Sequence, residues 1–348
     1  MEENMINVPQ QYKVTRNVLK EVLPIELPYS ISIEPSNICN FKCIMCTQGS
    51  EKYGKLGAPF VNMEMDCFNK IVNDLKQWCE NTQKKVKVIR LYSTGEPLLH
   101  PQIGEMVRSI KEANVCDAIE ITTNGSLLKP AYAEQFVEYG LDYIRFSIYS
   151  VYEERNREIT RNTISPEEIR ENIKYLKTYR DSLGKTKPFI QAKIIDTYSK
   201  ENEDFQTYYD GCADECVIDQ PMRSSTDDDV LANLYRERAE DVDKSVKEKQ
   251  IYSQKKACRY PFTHMTIRSE GSVCVCCNDY FKKTAIGNVM EQNLESLWNS
   301  KKLYDFRVMQ IKTKGVNHPA CARCEVPLRD CKEDDIDDFD INKLSYKE

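Results

Sequence analysis

The sequence predicts an α/β fold built from six parallel strand–helix units. Short segments rich in Val, Ile, Phe and Tyr alternate with longer segments whose apolar residues recur at helical spacing, which is typical of βα units. The predicted strands are 29–34, 86–92, 119–123, 143–149, 189–195 and 215–218. The predicted helices are 66–78, 103–113, 130–139, 166–182 and 199–209. This alternation alone allows an incomplete barrel or a doubly wound sheet.

Composition narrows the class of protein. The chain has 348 residues, 41% of them hydrophobic, which is enough for a large domain with a smaller module beside it. It contains no run of about 18 apolar residues and its first eleven residues are polar, so we expect no membrane span, no export signal and a cytoplasmic location. The net charge of −6 favours no nucleic-acid surface. Fifteen cysteines in such a chain indicate metal binding rather than disulfides.

Shifts in composition divide the chain into five segments. We expect an N-terminal extension (1–28), a barrel domain (29–223), a charged linker helix (224–256), a cysteine-containing module (257–332) and an acidic tail (333–348). The extension is expected to hold one helix near 13–22. The tail carries seven acidic and two basic side chains, so we expect it to be solvated and partly disordered.

Three cysteines follow the first predicted strand. Cys39, Cys43 and Cys46 have three and then two residues between them. A structural zinc site, or a cluster that only transfers electrons, normally uses four protein ligands. Three close thiols therefore favour a four-iron cluster with one iron left open, although a zinc site completed by a distant residue is an alternative.

This Cys-x3-Cys-x2-Cys motif resembles that of the radical S-adenosylmethionine (SAM) enzymes. The resemblance implies a partial (β/α)6 TIM barrel with a [4Fe–4S] cluster whose open iron binds SAM. It also implies formation of a 5′-deoxyadenosyl radical with electrons from a reductant such as flavodoxin or ferredoxin. Strand ends would supply the residues of the site, as in other parallel barrels.

Further motifs at predicted strand ends resemble the family's SAM-binding elements. Thr94-Gly95-Glu96-Pro97 is similar to a Gly-Gly-Glu-Pro element, with threonine in place of the first glycine. By this resemblance SAM is held by Met45, Thr94, Gly95, Glu96, Pro97, Asn124, Ser147 and Arg161. Arg155 and Arg157 compete with Arg161 for the SAM carboxylate. Ordinary turns, a solvated helix face and a core methionine are the alternatives for these elements.

A second set of cysteines, Cys258, Cys276, Cys321 and Cys324, lies in the C-terminal module. With Gly271 and the Gly-Asn-Val segment 287–289, it resembles the SPASM/twitch domains of radical SAM enzymes, including members similar to 2-deoxy-scyllo-inosamine dehydrogenase. The resemblance implies one auxiliary [4Fe–4S] cluster bound by these four thiolates. Cys274 and Cys277 leave the choice of Cys276 open, and a four-cysteine zinc site is the alternative.

The leading functional hypothesis is an oxidoreductase acting on a small polyhydroxylated molecule, such as a sugar, an aminocyclitol or a nucleotide-linked sugar. The auxiliary cluster would accept an electron after hydrogen abstraction. Arg145 and Tyr149 share a strand face with Ser147, so either could bind or deprotonate the substrate hydroxyl. A radical epimerase needs a thiol hydrogen donor, for which Cys216 is the first candidate, ahead of Cys212 and Cys116. Peptide modification and a non-enzymatic metal-binding protein are further alternatives.

Overall fold

A nine-stranded sheet forms the centre of the protein in our computed structural model, which describes residues 17–50, 53, 59–221 and 255–347. The strands are β1 (Ser30–Ile33), β2 (Val86–Leu91), β3 (Cys116–Thr123), β4 (Tyr143–Ile148), β5 (Phe189–Ile195), β6 (Glu215–Asp219), β7 (His264–Ile267), β8 (Ser272–Cys274) and β9 (Ala285–Asn288). Their order across the sheet is β6-β5-β4-β3-β2-β1-β7-β8-β9. All neighbours from β6 to β7 are parallel, and β8 and β9 are antiparallel additions.

The helices are α1 (Leu19–Val22), α2 (Met65–Thr82), α3 (Ile103–Ala113), α4 (Pro130–Glu138), α5 (Glu153–Thr160), α6 (Pro166–Ser182), α7 (Glu201–Tyr209), α8 (Tyr260–Thr263), α9 (Leu294–Trp298) and α10 (Lys301–Thr313). The five predicted barrel helices correspond to α2, α3, α4, α6 and α7. Helix α6 begins with a complete capping box between Ser165 and Glu168. None of the described helices combines the length and the apolar character needed to cross a membrane.

The strand order distinguishes the two architectures that the sequence allowed. Strands β1 to β6 lie in sequential order, whereas a doubly wound sheet reverses direction at a switch point. The strand β6 is an edge, so the barrel stays open, and the predicted partial (β/α)6 barrel is confirmed. Its outer face packs on the helices through apolar side chains. These include Ile31, Ile33, Ile89, Leu91, Ile119, Ile121, Ile144, Phe146, Ile190 and Ile194.

The opposite side of the sheet is polar. Because side chains alternate along a strand, the register places polar residues next to one another on the concave side. This inner face carries Ser30, Ser32, Arg90, Glu120, Arg145, Ser147, Gln191, Lys193, Glu215, Asp219 and His264. The barrel therefore has a polar lumen on the inner face of the sheet and an apolar core between the outer face and the helices.

The C-terminal module continues the barrel sheet. Strand β7 pairs with β1 in register Ser30↔His264, and the Ser30 hydroxyl lies 2.7 Å from His264 Nδ1. This pairing was not predicted, because the sequence suggested a separate module. Both cysteine sets consequently belong to one sheet.

Helix α1 packs against the acidic tail. Leu19 and Leu23 share a small apolar cluster with Phe262 and with Ile336 and Phe339 from the acidic tail. The expectation of a solvated tail is wrong for these residues, because Ile336 and Phe339 are buried and tail carboxylates such as Asp335 and Asp337 pair with Lys256 and Lys314. The predicted linker helix lies almost wholly outside the described residues. The domain boundaries given above stay a prediction.

Candidate functional site

The loop after β1 carries Cys39, Cys43 and Cys46, and neighbouring segments hold its backbone. Lys42 N donates to Thr160 O at 3.0 Å, and Ile44 N donates to Ile159 O at 2.8 Å, at the end of α5. The Gln48 amide donates to Asn37 O at 2.7 Å and to Thr94 O at 3.1 Å. The loop is therefore fixed at the carboxyl ends of the strands, where the sequence placed it.

The three thiols lie close enough together to oppose one another's ionisation. Cys43 is only 3% exposed. Burial, followed by the nearby Glu96 carboxylate and Cys46 thiolate, raises the pKa of Cys39 to about 12. Burial and the same neighbouring thiols raise the pKa of Cys43. A positively charged iron cluster would remove this penalty, so the donor set fits such a group.

The described residues contain no group of three His, Cys, Asp or Glu side chains placed to bind a single metal ion. In an iron–sulfur cube each thiolate binds a different iron, so its ligands need not meet at one point.

The segment Thr94–Pro97 packs directly on the cysteine loop. A Cβ atom on Gly95 would lie 2.3 Å from Ser36 O and 2.5 Å from Ile38 O, so this position needs glycine. Glu96 N donates to Ile38 O at 2.8 Å. Thr94, which replaces the family's first glycine, is not among the residues with positive φ, so its side chain is tolerated.

The Glu96 carboxylate hydrogen-bonds to the end of β3 and to the segment that follows Pro97. Its oxygens accept from Thr123 Oγ1 at 2.6 Å, Leu98 N at 3.0 Å and Asn124 N at 2.8 Å. Burial raises the pKa of Glu96 to about 7, against the lowering effect of these hydrogen bonds. The side chain therefore positions the end of β3, and its contact with SAM remains a prediction.

Asn124 also contacts the cysteine loop. Its Nδ2 donates to Asn40 Oδ1 at 3.0 Å, and its Oδ1 accepts from Ser126 N at 2.9 Å. Asn124 is 4% exposed, so the amide is held in one orientation beside the loop. The structure brings it near the cysteines, as the sequence predicted for a SAM-binding residue.

An open cavity of about 570 Å³ lies at the carboxyl ends of β4 and β5. Its lining includes Met45, Ser147, Tyr149, Arg155, Lys193 and Thr197. The structure thus brings the predicted Met45 and Ser147 together. The sequence-based prediction did not place Lys193 beside Arg155. The alternation of Gln191 and Lys193 with apolar residues along this strand does indicate an inward-facing polar row.

The three competing arginines have different surroundings. Arg161 ends α5 with φ 53° and its Nη1 lies 3.5 Å from Gly49 O in the cysteine loop. Arg157 is exposed and pairs with Glu153 at 3.0 Å. Arg155 lies 3.1 Å from Glu201 and lines the cavity. Of the three, Arg155 is therefore the one that reaches the cavity.

Tyr149 directly follows β4 and packs on the cysteine loop. Its hydroxyl hydrogen-bonds to the Cys43 sulfur, and its ring centroid lies 5.8 Å from that of Phe41. Burial and the neighbouring thiolates raise the pKa of Tyr149 well above its ordinary value. A phenol in this state keeps its proton, which argues against the predicted role of Tyr149 as a base.

Cys216 does not reach the lumen, so its predicted catalytic position is wrong. It pairs with Ala192 in the β5–β6 ladder, and both face the apolar core beneath the helices. Cys212 is buried in the same core. Cys116 starts β3, at the end of the barrel away from the cysteine loop. Glu215 and Asp219 of β6 face inward. Because side chains alternate along a strand, Cys216 faces outward and is excluded from the lumen.

The second cysteine set lines a cavity that opens to solvent and measures about 470 Å³ with its open mouth included. Its lining includes Cys258, Cys276, Cys321 and Cys324. Burial raises the pKa of Cys321 to about 12 and that of Cys324 to about 11. The Lys255 ammonium donates to the carbonyl oxygens of Cys321 and Cys324, both at 2.6 Å, and fixes their turn.

The two neighbours of Cys276 are absent from the cavity lining. Cys274 is fully buried against Arg268, and the Cys277 thiol hydrogen-bonds to Cys276 and to His264. Cys331 donates to Asp334 at 3.3 Å and is absent from the cavity lining. The geometry therefore favours Cys276 as the fourth member of the set.

Comparison with known families agrees with both sites. Residues 33–186 match the radical SAM superfamily, and residues 258–325 match SPASM, an iron–sulfur cluster-binding domain. A tungsten-containing aldehyde ferredoxin oxidoreductase cofactor-modifying protein of Pyrococcus furiosus is 27% identical over 88% of this chain and 90% of its own length. A probable GTP 3′,8-cyclase of Methanococcus maripaludis is 35% identical, but over only 38% of this chain and 39% of its own length.

Solved structures share the fold at low identity. BtrN in complex with AdoMet and 2-DOIA superposes with a TM-score of 0.53 at 16% identity, covering 86% of this chain and 93% of BtrN. Streptococcus suis SuiB bound to S-adenosylmethionine gives a TM-score of 0.58 at 17% identity, covering 90% of this chain and 77% of SuiB. Residues 33–186 therefore form a radical SAM domain and residues 258–325 a SPASM domain, and these are domain types that bind [4Fe–4S] clusters and SAM.

Proposed function

We propose that the protein is a radical SAM oxidoreductase that dehydrogenates a small polyhydroxylated molecule. The observation that carries the proposal is the polar inner face, which lies on the same sheet as both cysteine sets. Charged side chains on this face are arranged in pairs, such as Arg90–Glu120 at 3.0 Å and Lys193–Asp219 at 2.9 Å. A lumen of this kind suits a small molecule with many hydrogen-bonding groups better than an apolar one.

The first cysteine set would hold the SAM-binding cluster through Cys39, Cys43 and Cys46. Once bound there and reduced, SAM supplies a 5′-deoxyadenosyl radical for hydrogen abstraction. Met45 and Ser147 would contact SAM from the cavity wall, and Arg155 or Arg161 would pair with its carboxylate. Lys193 lies on the same wall, where burial lowers its pKa against the opposing effect of Asp219.

The second set would hold an auxiliary cluster through Cys258, Cys276, Cys321 and Cys324. Four protein ligands leave no iron open, which suits electron transfer rather than substrate binding. The carbon radical left by hydrogen abstraction from a carbinol has to lose one electron and its hydroxyl proton to become a ketone, and this cluster would accept the electron. A reductant such as flavodoxin or ferredoxin would supply the electron for SAM cleavage.

Dehydrogenation is favoured over epimerisation by the position of three thiols. Cys216, Cys212 and Cys116 face the core or the far end of the barrel. The Pyrococcus furiosus relative, which matches over about nine-tenths of its length, is named for modifying a cofactor. That name favours a small molecule over a polypeptide as the substrate.

The test is turnover by the anaerobically reconstituted protein in D2O. We expect about eight iron atoms per chain, SAM-dependent release of 5′-deoxyadenosine with a matching polyol substrate, and a ketone product. An epimer that carries solvent deuterium would instead identify a thiol donor and overturn dehydrogenation. Two bound zinc ions without SAM cleavage would instead indicate a non-enzymatic metal-binding protein.

Replacing Cys321 by Ala should separate the two cysteine sets. We expect Cys321→Ala to lose about four iron atoms while SAM cleavage by dithionite continues, because the first set is untouched. Iron content and 5′-deoxyadenosine release measure the two effects. Cys331→Ala is the matched control, since its thiol lies outside the cavity lining, and it should keep all the iron. An unchanged iron content in Cys321→Ala would remove Cys321 from the ligand set.

A further inference from the structure

Most charges on the inner face are already neutralised in pairs. Arg90 binds Glu120 at 3.0 Å, and Lys193 binds Asp219 at 2.9 Å. Two charged residues of this face have no such partner in the described part of the chain. Arg145 has no carboxylate, and Glu215 has no cation, within salt-bridge distance among these residues.

A neutral amide separates these two charges. The register places Arg145, Gln191 and Glu215 side by side on β4, β5 and β6. Arg145 Nε donates to Gln191 Oε1 at 2.8 Å, and Gln191 Nε2 donates to Glu215 Oε2 at 2.6 Å. Gln191 is 2% exposed, so its amide is locked between a cation on one side and an anion on the other. Arg145 and Glu215 are both half-buried and border the lumen.

This arrangement leaves both half-buried charges without a direct counter-charge within the ranges that the structure describes. A charge partly removed from water is destabilising unless an opposite charge compensates it. Direct pairing of Arg145 with Glu215 would have neutralised both, yet Gln191 holds them two strands apart. Neighbouring strands are about 4.8 Å apart, so the two backbones are about 10 Å apart, which is comparable to the length of a substituted hexose.

We propose that Arg145 and Glu215 form a bipolar substrate site, in which Arg145 binds an oxyanion of the substrate and Glu215 binds its protonated amine. The proposal rests on the proposed function and specifies its substrate class as an amino sugar or amino polyol that also carries a phosphate or carboxylate. A guanidinium matches both oxyanions through paired hydrogen bonds. Glu215 supplies the acceptor that an ammonium group needs.

The test is binding of four related sugars to the reconstituted protein with SAM present, measured by anaerobic calorimetry. The probes are glucosamine (amine only), glucose 6-phosphate (oxyanion only), glucosamine 6-phosphate (both) and glucosaminuronic acid (amine with carboxylate). We expect at least one of the two bipolar probes to bind about tenfold or more tightly than each single-charge probe. Comparison of the two bipolar probes identifies phosphate or carboxylate as the preferred oxyanion.

Variants assign each charge to its side chain. Arg145→Gln should remove the advantage of glucosamine 6-phosphate over glucosamine, and Glu215→Gln should remove its advantage over glucose 6-phosphate. Gln191→Glu places a carboxylate beside Arg145 at nearly constant volume, so it should weaken oxyanion binding even if Arg145→Gln folds poorly. Arg157→Gln, which alters an exposed ion pair on α5, is the control and should keep the wild-type preferences.

Sugar binding and SAM cleavage are measured separately, so they test the bipolar site and the proposed function independently. Equal affinity for all four probes, or no saturable binding of either bipolar probe, overturns the bipolar site while wild-type SAM cleavage leaves the radical chemistry in place. A retained bipolar preference in a protein that does not cleave SAM overturns the proposed function and leaves the binding site in place.

Discussion

Replacing Cys43 by Ala should abolish reductive cleavage of SAM. Cys43 is the most buried of the three thiols in the loop after β1, and its sulfur hydrogen-bonds to Tyr149. The variant leaves two thiolates for a cluster that already has one open iron, which is too few to hold it. We expect 5′-deoxyadenosine formation to fall at least about 100-fold, to background, with the loss of about four iron atoms.

The control for this variant is another partly buried cysteine. Cys79 lies on α2, and its thiol donates to Val115 O at 3.5 Å, outside both cysteine sets. Cys79→Ala should keep the iron content and the rate of SAM cleavage. Continued 5′-deoxyadenosine formation in Cys43→Ala would withdraw the assigned role from the whole Cys39/Cys43/Cys46 set.

Local patterns were sufficient to predict the barrel elements. All six predicted strands and five helices are present, with ends that differ by a few residues, as with β3, which begins at Cys116 rather than 119. Helix α5 was missed because its sequence, Glu153–Thr160, is short and almost entirely polar, so no apolar stripe marks it. The closely spaced cysteines were identified as candidate ligands from their spacing alone.

Long-range features were harder to predict. The β1–β7 pairing joins residues 234 positions apart, and nothing local in either strand specifies its partner. The burial of Ile336 and Phe339 was not predicted, because the prediction for the tail was based on its net charge and not on its few apolar residues. Cys216 was misplaced because strand alternation gives two faces but does not say which one is inward until a neighbouring strand is known.

A buried ion pair joins the barrel to the SPASM domain, and it yields the largest expected effect on stability. Arg268 follows β7 and Glu34 follows β1, with 2% and 1% exposure respectively. Their guanidinium and carboxylate are 3.4 Å apart. Glu34 also accepts from Thr94 N at 2.9 Å and from Ser269 N at 3.1 Å. Arg268 donates to Asp279 O at 2.6 Å, close to the second cysteine set.

Arg268→Leu should therefore destabilise the protein by about 3–5 kcal/mol, because it leaves the Glu34 carboxylate buried without its counter-charge. Anaerobic thermal unfolding of the reconstituted protein should show this as a fall in Tm of roughly 5–15 °C. The matched control is Arg157→Leu, which breaks the exposed Arg157–Glu153 pair and should change stability by no more than about 0.5 kcal/mol. Equal Tm values for the two variants would show that the buried Glu34 carboxylate does not need Arg268 as its counter-charge.

The same variant should also lose iron. Glu34 holds Thr94 beside the first cysteine loop, and Arg268 holds the loop after Cys277, so we expect the lower Tm to be accompanied by iron loss from both cysteine sets.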